Sequence, residues 1–269
     1  MKENIKLYTL GSLVFICILS FSSMTRGILS ELIRILAFLL PAAALIFYGG
    51  RGASPSPSYL SLKKEDATLL LPLILPSLFL IFFTSFLSYL LINSLTGAQE
   101  PSVATGSLSF DLYSLAIIPA VLEELLFRYV PLKIIAPHSK KSALFISIVF
   151  FALVHSSFFS IPHAALAGGI FMLFDIVAES VYPSVILHFI NNLISIVWIY
   201  NSGSQDFASL FWILFAIGAF LSLIPIFVLR KTYLRRLKEA FDKDDKTVIE
   251  PFCLALAVPC LISAILGLI

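Results

Sequence analysis

Two adjacent carboxylates, Glu123 and Glu124, and one guanidinium, Arg128, lie inside the otherwise apolar stretch Ile118–Val130. A charge at bilayer depth costs at least a few kcal/mol, so such side chains face protein or a water-filled cavity and usually serve function. As neighbours on a helix, Glu123 and Glu124 point about 100° apart and cannot face one site equally. Arg128 lies within a turn and a half of both and can neutralise either. A purely structural ion pair would also satisfy these residues.

Three further polar residues occur in apolar runs. His155 ends Phe151-Ala152-Leu153-Val154-His155, and His188 and Asn192 stand four apart in His188-Phe189-Ile190-Asn191-Asn192. The second pair shares one helix face. Its ordinary use is to glue helices together. Taken jointly, the set holds a carboxylate base, two imidazoles, an amide donor and a buried cation. That inventory could activate a water and stabilise an oxyanion. Asp175 and Glu179 fall near the end of an apolar run and are expected to serve a helix end or loop. His138 and His163 receive no role, and Gly168-Gly169 is expected to permit close helix packing.

The elements that must position these groups are membrane helices. The 269 residues are 59% hydrophobic and 13% charged, with mean hydropathy +1.00, against about 25% charged in a soluble domain. The expected fold is all-α, a polytopic integral membrane bundle of eight to nine spans in a single membrane domain around an intramembrane polar cavity. The expected spans are Leu7–Ser23, Leu29–Tyr48, Ala67–Leu95, Leu112–Ile134, Ser142–His155, His163–Val177, Pro183–Tyr200, Phe207–Leu229 and Pro251–Ile269, the sixth being the weakest. The segments before and after residues 112–200 supply N-terminal and C-terminal spans. Residues 49–57 and 96–101 read as turn-rich linkers. Pro72 and Pro76 suggest a bent or late-starting third helix, and Pro183 a helix start. The N-terminus imitates a signal peptide but reads as an uncleaved first helix.

Charge placement sets the orientation. With the N-terminus in the cytosol, fifteen of the 18 lysines and arginines fall in cytosolic segments, seven of them between Arg230 and Lys246. The outer loops hold only Arg26, while Arg34 and Arg128 lie within spans. This asymmetry favours a cytosolic N-terminus. The 230–246 segment is expected to be a solvated juxtamembrane helix touching anionic lipid. The net charge of +2 does not suggest nucleic acid. Cys17, Cys253 and Cys260 lack ligand spacing and read as small hydrophobes.

Glu123-Glu124-Leu125-Leu126-Phe127-Arg128 fits EExxxR, Phe151 to His155 fits FxxxH, and His188 to Asn192 fits HxxxN. In that order, each within an apolar run, the three motifs resemble the CPBP family: CAAX prenyl proteases of the Ras-converting type and bacteriocin-processing or immunity relatives. The resemblance covers Leu112–Val197. It implies an intramembrane glutamate endopeptidase that needs no cofactor and cuts a prenylated or other membrane-associated peptide. Glu123 would be the general base, His155 would help hold the water, and His188 with Asn192 would form the oxyanion hole. Arg128 would orient the glutamates, and Glu124 would support them. Tyr129 stands where many members have glycine, which bears on cavity width.

Three alternatives stay open. Glu123, His155 and His188 could instead hold zinc, although HExxH is absent, as are GxSxG, GxGxxG and a P-loop. The fold could serve as a non-catalytic scaffold or immunity-type protein. A proton-coupled transporter would use the same glutamates, but the chain shows no internal repeat.

Overall fold

The computed structural model describes residues 2–22, 27–49, 58–97, 106–155, 159–201 and 203–242. They form eight helical runs: α1 (Lys2–Ser22), α2 (Ile28–Gly49), α3 (Lys64–Thr96), α4 (108–134), α5 (Lys140–Val154), α6 (Ile161–Ala178), α7 (Tyr182–Asn201) and α8 (Gln205–Phe241). Among the described residues the only strand-like pairing is one bridge between Tyr59 and Ser180. The bundle is all-α. Each of the first eight expected spans coincides with one helix, and the ninth, Pro251–Ile269, lies outside the described residues, as does most of both linkers.

Six of the helices, α1, α2, α3, α6, α7 and α8, are long and apolar enough to cross a membrane. Large apolar side chains stay uncovered along them, up to 79% exposed at Ile28, as lipid contact requires and a soluble surface does not. The sixth span is a full 18-residue helix. The fifth is the short one: its 15 residues rise about 22 Å at about 1.5 Å per residue, against a hydrocarbon core of roughly 30 Å. α3 starts at Lys64 and runs through Pro72 and Pro76, so its start is not delayed. Pro183 sits in the first turn of α7.

α4 lies at the centre, packed on α2, α5 and α7. It is interrupted twice by π-helical turns, Leu112–Ile117 and Leu125–Tyr129, each ending two residues before a proline, Pro119 and Pro131. Proline has no N–H to give and its ring crowds the carbonyl four residues back, which widens the preceding turn. Pro131 therefore orphans the carbonyl of Phe127 in α register and that of Leu126 in π register. Side chains from other helices satisfy both: Ser147 Oγ of α5 donates to the Phe127 carbonyl at 2.7 Å, and Tyr8 OH of α1 to Leu126 at 3.2 Å. The break in α4 is thus also where α1 and α5 attach.

One aromatic ring from each of five helices continues the joint. Phe15 of α1 meets Phe38 of α2 and Phe127 of α4, Phe127 meets Phe151 of α5, and Phe151 meets Phe171 of α6, with centroids 4.6–6.3 Å apart. Gly168 lets α6 approach this line, since a Cβ there would stand 3.3 Å from a ring carbon of Phe151.

At the end of the bundle where α6 turns into α7, Val181 N–H donates to the Tyr59 carbonyl at 3.0 Å. Burial, reinforced by the nearby Glu179 charge, pushes the Tyr59 phenol up to about 12. α8 continues unbroken past Leu229 to Phe241. Its basic extension is not wholly solvated: Tyr233 packs on Phe174 at 5.7 Å, and Arg236 pairs with the buried Asp66 at 3.4 Å.

Ser147→Ala should lower thermal stability in detergent by about 1–2 kcal/mol, because the Phe127 carbonyl loses its donor. Adding Pro131→Ala restores an N–H to that carbonyl, so the double variant should recover part of the loss. Simple addition of two destabilisations in the thermal melts would contradict this account.

Candidate active site

α4 presents Glu123, Glu124 and Arg128 toward α7, and α7 answers with His188. The His188 Nδ1–H donates to Glu124 Oε1 at 2.7 Å, while Nε2 lies 4.0 Å from Glu123 Oε2. This resolves the divergence of the two carboxylates: they reach one imidazole from its two nitrogens, unequally. Glu124 also pairs with Arg128, Oε2 to Nε at 3.2 Å. Glu124 and Arg128 are wholly buried, whereas the Glu123 side chain keeps 17% of its surface accessible. Glu123 Oε2 makes no hydrogen bond. Glu124 Oε2 makes none either but is held in the ion pair with Arg128, so Glu123 Oε2 is the unengaged oxygen of the pair, buried beside His188 Nε2.

The guanidinium of Arg128 lies 3.9 Å from the Phe151 ring centroid and 5.5 Å from that of Phe171. A desolvated cation on an aromatic face gains on the order of 2 kcal/mol, which offsets part of its burial. Its Nη1 and Nη2 are buried without hydrogen-bond partners.

His155 follows the last residue of α5. Its Nδ1–H donates to the Phe151 carbonyl at 2.8 Å, which leaves the Nε2 lone pair as an acceptor. The ring packs edge-on against Phe151 at 4.9 Å, and Phe151 also meets His188 edge-on at 5.7 Å. The two histidines therefore flank one phenylalanine. His155 contacts neither glutamate directly. Asn192 lies one turn beyond His188, half-buried, and its Oδ1 accepts from Asn191 Nδ2 at 3.3 Å. Tyr129 is half-buried and packs on the core.

Among the described residues, no three His, Cys, Asp or Glu side chains are grouped to hold a metal ion. A cavity of about 310 Å³, apolar, lies between α1 and α2, lined by Leu7, Gly11, Leu45 and Tyr48, away from the glutamates.

Asp175 holds the start of α7. Fully buried at the end of α6, it accepts the Ser184 N–H on Oδ1 at 3.1 Å, and Oδ2 has no hydrogen-bond partner. Ser184 is one turn before His188, so this helix-end contact fixes where the imidazole enters the bundle. The expected helix-end role of Asp175 has this geometry, but sequence reading gave no sign of its link to His188. Nor did it single out Ser147 and Tyr8, although a proline after EExxxR signals an orphaned carbonyl.

Residues 105–194 match the family model described as Rce1-like, type II CAAX prenyl endopeptidase. This segment is Rce1-like. It spans α4 to most of α7 and contains Glu123, Glu124, Arg128, His155, Asp175, His188 and Asn192. Together with the six long apolar helices, this match supports a membrane protein that contains a segment similar to CAAX-type endopeptidases. Comparisons with curated proteins and with solved structures found no match.

Within the Rce1-like core, Arg128→Met should destabilise the protein by about 3–5 kcal/mol, because Glu124 stays buried without its counter-ion. Adding Glu124→Gln should recover a substantial share, as read by thermal unfolding in detergent. Equal stability of wild type and Arg128→Met would remove the charge-balancing role.

Proposed function

We propose that the protein is an intramembrane endopeptidase of the CAAX type, in which a glutamate activates water to hydrolyse a peptide bond near the C-terminus of a lipidated or other membrane-associated substrate. The observation that carries this reading is the division of labour between the glutamates. Glu124 is occupied by His188 and Arg128, whereas Glu123 keeps an oxygen unbonded beside His188 Nε2.

Glu123 takes a proton from water as the oxygen attacks the scissile carbonyl. His155, with Nδ1–H given to Phe151, offers Nε2 to the other water proton. The oxyanion then faces Asn192 and His188. For Nε2 to donate, His188 must be an imidazolium, and the Glu124 carboxylate at 2.7 Å supplies its counter-charge, much as the buried acid does in a catalytic triad. Collapse breaks the C–N bond, and the proton held by Glu123 passes to the leaving amine.

The substrate would meet the site from the bilayer, where a prenyl chain partitions. The cytosolic N-terminus inferred from lysine and arginine placement belongs to this proposal, as does residence in the cell membrane if the host is prokaryotic. Nucleic acid has no part in it. Zinc bound by Glu123, His155 and His188 is the minor variant; it would require His155 to move past Phe151. Loss of activity on chelation with recovery on zinc addition would favour it. A non-catalytic scaffold or immunity-type protein on the same fold is the second reading, favoured if Glu123 proves dispensable in cells.

Purified protein in liposomes should release the C-terminal tripeptide from a farnesylated CaaX reporter, and Glu123→Ala should reduce the rate by at least about a hundredfold, the low end of general-base contributions. Equal cleavage by both proteins would refute Glu123 as the base.

A further inference from the structure

A second guanidinium at membrane depth has no part in the reaction above. Arg34 of α2 donates through Nη2 to the Ser114 carbonyl of α4 at 2.7 Å and to Glu31 at 2.6 Å, and its Nε is buried without a hydrogen-bond partner. Its side chain is only 22% accessible. It lies within electrostatic range of Glu123.

The register of the helices places it. α2 and α4 run in the same direction: Phe38 meets Phe127 with centroids 6.3 Å apart, and a Cβ on Gly49 would touch Ile134 at 3.1 Å. One turn before the first pair, Arg34 sends its guanidinium to the Ser114 carbonyl, nine residues before Glu123 on α4. The helix from Ser114 to Glu123 measures at most roughly 13 Å, and less across the widened π turn. Three extended residues span about 10 Å.

We infer that Arg34 forms a subsite for the free C-terminal carboxylate of the substrate, about three residues beyond the bond that Glu123 attacks. This rests on the endopeptidase reading for the identity of the ligand. The chemistry is that of a carboxylate brought into a lipid-surrounded site, which is tolerated only against a cation, and a guanidinium fork matches it in shape. Glu31 already shows that a carboxylate fits this guanidinium. Glu31 is the partner whose place an incoming carboxylate shares or takes.

The test measures binding, so that it does not depend on turnover. A fluorescent farnesylated peptide ending in a free carboxylate, and the same peptide as carboxamide, are titrated onto full-length Glu123→Ala protein in phosphatidylcholine nanodiscs. The acid should bind about tenfold more tightly than the amide. Arg34→Gln in the same background should bring the acid to the level of the amide. Glu31→Gln should tighten the acid several-fold, a gain that misfolding cannot mimic. Equal binding of the two peptides, no binding of either, or an acid preference that survives Arg34→Gln would overturn the subsite. Cleavage is scored separately with Glu123 restored: an acid preference without cleavage refutes the endopeptidase and leaves the subsite standing.

Discussion

Arg128 cannot be buried alone. It lies wholly within a lipid-facing bundle, and the neighbouring structure exists in a form that makes this tolerable. Glu124 supplies the opposite charge, Phe151 and Phe171 supply aromatic faces, and Gly168 lets α6 close against Phe151. His188 then takes the remaining oxygen of Glu124. The aromatic and His188 contacts tie α4 to α5, α6 and α7, so the electrostatic constraint and the packing of the bundle are one arrangement.

The path of α4 follows from its prolines. Pro119 and Pro131 each deny the helix an N–H and the preceding turns widen; Ser147 and Tyr8 meet the carbonyls that Pro131 frees, and Arg34 meets that of Ser114, five residues before Pro119. The widened turn begins directly after Glu124. The part of α4 that carries the carboxylates is therefore a short α segment between two π turns, pinned from outside instead of by its own ladder. π turns recur at functional sites, and here the cause is visible in the chain.

The helices were legible because lipid forces long apolar runs, and even the sixth, weak as a pattern, is a complete helix. Glu123, Glu124, Arg128 and His188 were legible because charge is rare at that depth. His155 and Asn192 join them less directly, one across Phe151 and one a turn further along α7. What could not be read was pairwise geometry. Two glutamates pointing 100° apart gave no sign that one imidazole would bridge them, and nothing near Asp175 announced that it caps the helix carrying His188. The basic segment after Leu229 read as solvated because charge dominates its composition. Its Tyr233 and Arg236 nonetheless find partners on α6 and α3, contacts between segments distant in the chain.

The proposed reaction turns on Glu124 fixing His188 through Nδ1, with Nε2 left on the side of Glu123. Nitrogen-15 NMR of the histidines in liposomes tests it directly, with the His188 signals assigned by their loss in His188→Gln. The account predicts a protonated, strongly hydrogen-bonded Nδ1 whose signal moves on Glu124→Gln, and an Nε2 signal that moves on Glu123→Gln. An unprotonated Nδ1, or a His188 spectrum indifferent to Glu124→Gln, would contradict it.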